Sequence, residues 1–137
     1  MNDILKKTKP SILLKYAEAD DGASFYIQCK GLHSGQPLKK RIPNCFAVFT
    51  DDDLAFEKCF CIWKSKSYYI LIRGSVVPFI SIRETRKLLH KSFLKMADAD
   101  KKKILAIQQI DSAIALAEER IKLFKNMQFA LASEIFK

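Results

Sequence analysis

A heptad stripe runs through the C-terminal stretch of the chain, residues 101–137, and constrains the fold more than any other feature. Apolar residues recur there with an average spacing of about 3.5 residues over roughly four heptads, and no Gly or Pro interrupts them. Ala, Leu, Glu, Lys and Gln, which are all good helix formers, fill much of the remainder. The pattern therefore predicts one long α-helix that packs along most of its length against another helix.

The two apolar rows of this helix predict a dimer interface. At about 1.5 Å per residue the helix spans roughly 54 Å, whereas a compact chain of this size has a diameter of about 36 Å. A second copy is the simplest partner, and the pairing of small Ala117 with large Phe124 suits an antiparallel arrangement in which one lies over the other. The competing interpretation packs the helix across the chain's own sheet, over Phe25, Phe46 and Val48. The predicted interface residues are Ile107, Ile110, Ile114, Ala117, Ile121, Phe124, Gln128, Leu131 and Ile135.

Positive charge is concentrated in particular parts of the chain. The net charge is +9, and residues 81–103 hold eight Lys or Arg against three acids. Residues 1–16 hold four Lys against one Asp, whereas residues 104–137 are neutral, with four charges of each sign. A local excess of this kind favours an anionic partner such as DNA or RNA.

Length and composition predict a single α+β domain of residues 1–137. The chain has 137 residues and is 49% hydrophobic, which suffices for a real core. We expect a globular part over residues 1–100, built as a small, mostly antiparallel sheet with helices on one side, and the long helix over residues 101–137. No signal peptide and no apolar run of about 20 residues is visible, so we expect a cytoplasmic protein.

The globular part divides into short predicted elements. A short helix is predicted at 11–17, after Pro10, and a loop at 31–43. Three aspartates at 51–53 predict the start of a helix through Trp63, although the run at 59–63 also fits a buried strand. Strands are predicted at 24–30, at 44–50 (central, because nearly all its residues are apolar), at 67–73 and, at an edge, at 76–80.

Residues 81–96 predict an amphipathic helix with one cationic half, opened by the capping-box pattern Ser-Ile-Arg-Glu. Lys101–Lys103 begin the next helix, where three lysines oppose the helix dipole and so are not explained by helix propensity. Phosphates need closely spaced positive charge, and Tyr68 and Tyr69 could stack on bases. The alternative is a solvated outer face. The predicted nucleic-acid-binding residues are Arg83, Arg86, Lys87, His90, Lys91, Lys95, Lys101, Lys102 and Lys103.

The sequence carries no motif that indicates catalysis or a cofactor. It has two histidines, four glycines and no phosphate-binding loop, so we expect a non-enzymatic protein. The four cysteines lack the paired spacing of zinc sites and predict buried, reduced thiols without a disulfide; a zinc site at Cys29, His33 and Cys45 is the disfavoured alternative. The aspartates at 51–53 could hold Mg²⁺, but a helix start explains them better. Besides nucleic-acid binding, a protein-interaction module (an inhibitor or adaptor) working through the long helix is the other function considered.

Three stretches carry a resemblance to a known family: GLHSGQPL (31–38), IPNCFAVFT (42–50) and RGSVVPFI (73–80). They resemble an uncharacterised family of small Bacteroidota proteins, often associated with mobile elements, that is known only as a domain of unknown function. The likeness covers residues 24–82 and, more loosely, the long helix. It implies no catalytic residues. The mobile-element setting favours a nucleic-acid or regulatory role by association only.

Overall fold

The computed structural model describes residues 11–18 and 22–137, and this part of the chain has the predicted α+β fold. Its four strands form one antiparallel sheet, and its three helices end with a long C-terminal one. The chain divides into two compact units, one ending at Asp98 and the other spanning residues 99–137. A 3-10 turn, Asp98–Asp100, precedes the last helix. The elements are β1 (Ile12–Tyr16), β2 (Phe25–Gln28), β3 (Pro37–Leu38), β4 (Cys45–Thr50), α1 (Ala55–Lys64), α2 (Ile82–Lys95) and α3 (Lys101–Ile135).

The sheet has the strand order β1-β4-β2-β3, so the predicted strand at 44–50 is confirmed and lies in the interior of the sheet. All neighbours are antiparallel, with Phe25 opposite Val48 and Ile27 opposite Phe46. Strand β3 lies inside the stretch expected to be a loop, and pairs Pro37 with Ile27.

The predicted short helix at 11–17 is wrong, because this segment is strand β1. It pairs with β4 from Ile12, opposite Thr50, to Tyr16, opposite Phe46. Leu14 points into the core and is buried. An apolar central strand needs a neighbour on each side to satisfy its backbone groups, and this non-local pairing overrides the helix signal of a seven-residue segment.

Alternation along the strands divides the apolar residues between two clusters. Phe25, Ile27, Phe46 and Val48 face the main core, which also contains Ala55, Cys59 and Ile62 from α1 and Leu89 from α2. On the other face Tyr26, Cys45 and Ala47 form a smaller cluster with Leu38, Ile42 and Phe49. Both helices of the first unit therefore contribute to the core on one face of the sheet, as the sequence predicts.

Helix α1 confirms the helical interpretation of residues 55–63. Its start is held by Asp52, whose carboxylate accepts a hydrogen bond from the Leu54 N–H at 2.9 Å and forms an ion pair with Lys58 at 2.6 Å. The aspartates therefore lie at a helix start, as predicted. The helix ends with Lys66 in the left-handed conformation, φ 63°. The Lys66 N–H bonds to Trp63 O and the Ser67 N–H to Ile62 O, the two bonds of a Schellman motif.

The predicted strand at 67–73 is wrong, because most of it consists of consecutive turns. Tyr68 is 1% exposed, and its carbonyl accepts hydrogen bonds from the N–H groups of Leu71 and Ile72. Only Arg73 pairs in an extended fashion, exchanging two backbone hydrogen bonds with Phe79 and closing a loop over residues 74–78. The predicted edge strand at 76–80 is reduced to bridges at Phe79, to Arg73 and to Lys30.

Candidate nucleic-acid interface: the cationic face of helix α2

Helix α2 begins where the sequence predicts, with Ser81 as its N-cap. Ser81 Oγ accepts a hydrogen bond from the Glu84 N–H at 3.2 Å, and the Thr85 hydroxyl donates to Ser81 O at 2.7 Å. Such a cap satisfies backbone groups that the first helical turn leaves free. The Ser81 cap therefore fixes where α2 begins, using only residues that are neighbours in the sequence.

The two faces of α2 separate as the helical wheel predicts. Thr85 and Leu89 are buried, and Leu88 and Phe93 pack against the core. Leu94 is the apolar exception on the outer side and is exposed. The predicted cationic residues of this helix are all exposed, namely Arg83, Arg86, Lys87, His90, Lys91 and Lys95.

The one acid on α2 is neutralised from outside the helix. The Arg73 guanidinium donates to Glu84 Oε1 at 2.8 Å, and this hydrogen bond holds the pKa of the Glu84 carboxyl below its usual value. Among the described residues, no acid forms an ion pair with Arg83, Lys87, Lys91 or Lys95. The outer face of α2 consequently carries unneutralised positive charge along roughly 18 Å, at about 1.5 Å per residue from Arg83 to Lys95.

Arg86 differs from the other cations of this face. One of its nitrogens, Nη2, donates a hydrogen bond of 2.8 Å to the carbonyl of Leu14 on the edge strand β1. Edge strands have backbone groups without a strand partner, and a bond of this kind satisfies one of them. The Arg86 side chain therefore connects α2 to the sheet, and we expect its charge reversal to destabilise the fold as well as to remove a cation.

The remaining predicted contacts, Lys101–Lys103, lie in the second unit at the first turn of α3 and are all exposed. Asp100 occupies the N-cap position of α3, without a capping hydrogen bond from its side chain. The positive charges of Lys101–Lys103 lie at the positive end of the helix dipole, so the helix gains no stability from them.

The two tyrosines considered for base stacking have different environments. Tyr68 is 1% exposed, inside the core, so the expectation that it stacks on bases is wrong; Tyr69 is 65% exposed. Tyr69 lines a shallow depression of about 230 Å³ together with His33, Trp63, Lys64 and Lys66. The Lys64 ammonium lies 4.9 Å from the centre of the Trp63 ring. Aromatic rings beside lysines can stack on unpaired bases. Of these residues only Tyr69 was expected from the sequence to stack on bases, because the others are far apart along the chain or carry no local signal for base contact.

The cysteines differ in burial but all four are free thiols. Cys45 and Cys59 are buried, whereas Cys29 and Cys61 are half-buried, so the expectation of four buried thiols is wrong for two of them. Burial raises the pKa of Cys59 well above its ordinary value and also raises those of Cys29 and Cys61. Within residues 11–18 and 22–137 no group of three or more His, Cys, Asp or Glu side chains is arranged to hold a metal ion. No helix in the same part of the chain has the length and apolar content that a membrane crossing requires.

The fold and this face together define a class, a small α+β protein that presents an exposed cationic helix. A family model described as "Family of unknown function (DUF6943)" matches residues 15–134, so the chain belongs to that family. The match confirms the expected membership of a family of unknown function. It covers more of the chain than the three stretches that carry the resemblance. Comparison with curated proteins and with solved structures gives no match.

Proposed function

We propose that the protein is a non-enzymatic nucleic-acid-binding accessory protein that contacts phosphates through the cationic face of α2. The observation that carries the proposal is the combination of exposed Arg83, Lys87, Lys91 and Lys95 with the neutralisation of Glu84 by Arg73. A helix face that is only solvated does not need charges of one sign, whereas a phosphate backbone attracts a row of positive charges.

The dimensions of the face agree with a short stretch of nucleic acid. Phosphates of one strand follow each other at about 3.4 Å along the duplex axis, so roughly 18 Å of helix faces about five of them. Five residues of the face carry full charges, because His90 is counted as neutral. DNA and RNA are both candidate partners, and exposed Tyr69 beside Lys66 supplies a stacking position for an unpaired base.

The setting of the proposal comes from the resemblance described above. We place the protein in a mobile genetic element of Bacteroidota, an association rather than an argument from chemistry. We also place it in the cytoplasm, where four free thiols are ordinary.

Charge reversal on α2 tests the proposal. In Lys87→Glu/Lys91→Glu/Lys95→Glu, Arg86 is kept so that its bond to Leu14 survives. At 50 mM salt each phosphate contact raises duplex affinity about 15-fold over its value at 1 M, so losing three lowers affinity by more than about 1,000-fold. Binding to a labelled duplex and to a labelled single strand is measured by fluorescence anisotropy.

The matched control is Lys39→Glu/Lys40→Glu/Arg41→Glu, which makes the same change in net charge at three exposed residues of the loop before β4. We expect this variant to lose less than about tenfold in affinity, because its charges act only from a distance. Equal losses in the two variants, or a wild type that binds neither probe at 50 mM salt, would contradict the proposal.

A protein-interaction role through α3 is the second candidate, and a specific observation favours it. Ile114, Ile121 and Phe124 are among the large apolar side chains of this helix that are exposed. Exposed apolar surface of this extent marks interaction sites. Binding through it should change little between 50 and 200 mM salt, whereas phosphate contacts weaken steeply over the same range.

A further inference from the structure

Helix α3 carries a series of large apolar side chains that are exposed. Twelve large apolar side chains between residues 105 and 136 have exposed fractions from 38% to 87%. They include six of the nine predicted interface positions. Apolar surface repeated along the whole length of a helix is typical of a helix that pairs with another one.

We propose that α3 pairs with α3 of a second copy in the antiparallel direction, with Ile121 of one helix opposite Phe124 of the other. In this register Ile114 lies opposite Leu131, Ile110 opposite Ile135, and Ala117 opposite Gln128. The small Ala117 leaves room for the longer Gln128. Phe124 of the partner lies one turn further along, so this register differs from the direct Ala117–Phe124 contact expected from the sequence. Each of the remaining layers pairs two apolar residues of substantial size.

The charges beside the seam determine the direction. Positions that flank a parallel seam bring Arg120 of each helix against Lys125 of the other, so a parallel dimer carries two repulsive pairs. It also places the two clusters Lys101–Lys103 side by side. In the antiparallel direction Glu118 of each helix instead flanks Lys125 of the other, giving two attractive pairs. All three residues are exposed, and within the described chain none of them forms an ion pair.

The same charges determine the register. Moving the partner by one heptad in one direction sets Glu118 against Glu118 and Arg120 against Arg120. Moving it by one heptad in the other direction sets Lys125 against Lys125. The first of these shifts also sets Asp111 of each helix against Lys125 of the other, so its two attractive pairs are offset by its repulsive ones. The proposed register has two attractive pairs and no repulsive pair, because Arg120 of one helix lies beside the uncharged Met127 of the other. Specificity of this kind, from flanking charge, is how paired helices choose direction and partner.

The effect of one substitution, Lys125→Glu, on dimer affinity is opposite for the antiparallel and the parallel dimer, so it distinguishes them. In the antiparallel dimer, Lys125→Glu replaces two attractive pairs by two repulsive ones, and we expect the dissociation constant to rise about tenfold or more. In a parallel dimer the new carboxylate would face Arg120 and tighten association. Glu118→Lys should weaken the dimer like Lys125→Glu, and Glu118→Lys/Lys125→Glu should restore it to within about threefold.

Sedimentation equilibrium across a concentration series measures these constants, with circular dichroism to verify that each variant is helical. Lys122→Glu is the matched control, because it makes the same charge change on the outer side of the helix and should leave association unchanged. A wild type that stays monomeric at about 100 μM, a Lys125→Glu variant that associates as tightly or more tightly, or a double variant that is not restored would overturn the proposal. The inference does not rest on nucleic-acid binding, since no nucleic acid is present in the experiment and no substituted residue lies on α2.

Discussion

Arg86 provides the sharpest test of how α2 is held against the sheet. We predict that Arg86→Met destabilises the protein, whereas Lys87→Met, one residue further along the same exposed face, does not. Both substitutions remove one positive charge and leave an unbranched side chain. They differ because only Arg86 donates a hydrogen bond to the Leu14 carbonyl, at 2.8 Å.

The magnitude follows from the type of bond. A hydrogen bond to a charged group contributes about 1.5–3 kcal/mol net, and a carbonyl left without a partner costs about 1–3 kcal/mol where water cannot reach it. Leu14 belongs to the core, so the Arg86→Met variant should lose roughly 2 kcal/mol of unfolding free energy. Surface substitutions such as Lys87→Met usually stay within about 0.5 kcal/mol.

Urea denaturation followed by circular dichroism measures the difference. At a typical slope of about 1–3 kcal/mol per molar urea, roughly 2 kcal/mol moves the midpoint by about 1 M. Equal midpoints for the two variants would refute the reasoning and would return Arg86 to the set of cations that are free to contact phosphate.

Two further predictions concern the core and the thiols. Gly35→Ala should lower the free energy of unfolding by about 2–4 kcal/mol, because Gly35 has φ 96° and an added Cβ would lie 2.5 Å from the Tyr68 ring. Gly22→Ala should lower it by only about 1 kcal/mol, because Gly22 has φ 75° but no atom lies within 4 Å of the added Cβ. Equal losses in urea denaturation would contradict this prediction. In mass-spectrometric alkylation at pH 8, the half-buried Cys29 and Cys61 should react before the buried Cys45 and Cys59, because the reagent reaches them more easily. Burial also raises the pKa of Cys29, Cys59 and Cys61, so these three should react more slowly than a free peptide thiol, and early modification of Cys59 would count against the described core.

The parts of the fold that local signals determine could be predicted from the sequence. The capping pattern at Ser81 and the alternation of apolar and cationic residues determine α2, and both are visible within sixteen residues. The heptad rows determine α3 in the same way. Strands β2 and β4 were recognisable from alternation and from a continuous apolar run.

Elements that depend on distant partners could not be predicted. Strand β1 has a helix-like sequence, and its conformation comes from pairing with residues of β4 that are 30 to 38 positions away. Residues 67–73 are rich in strand-forming types, yet the buried ring of Tyr68 and the Schellman end of α1 turn the chain there. In the candidate site, the roles of Arg86 and Glu84 are set by partners 72 and 11 residues away, so the sequence identified the cationic face but not which of its charges are engaged.

The salt dependence of binding tests the central claim most directly, the claim that the face of α2 contacts phosphates. Wild-type protein is titrated against a short labelled duplex at 50, 100 and 200 mM salt. With four or five phosphate contacts, the logarithm of the binding constant should fall against the logarithm of salt with a slope of about −3.6 to −4.5, which lowers affinity roughly 150- to 500-fold over this range. A slope near zero, or no binding at 50 mM salt, would contradict the account.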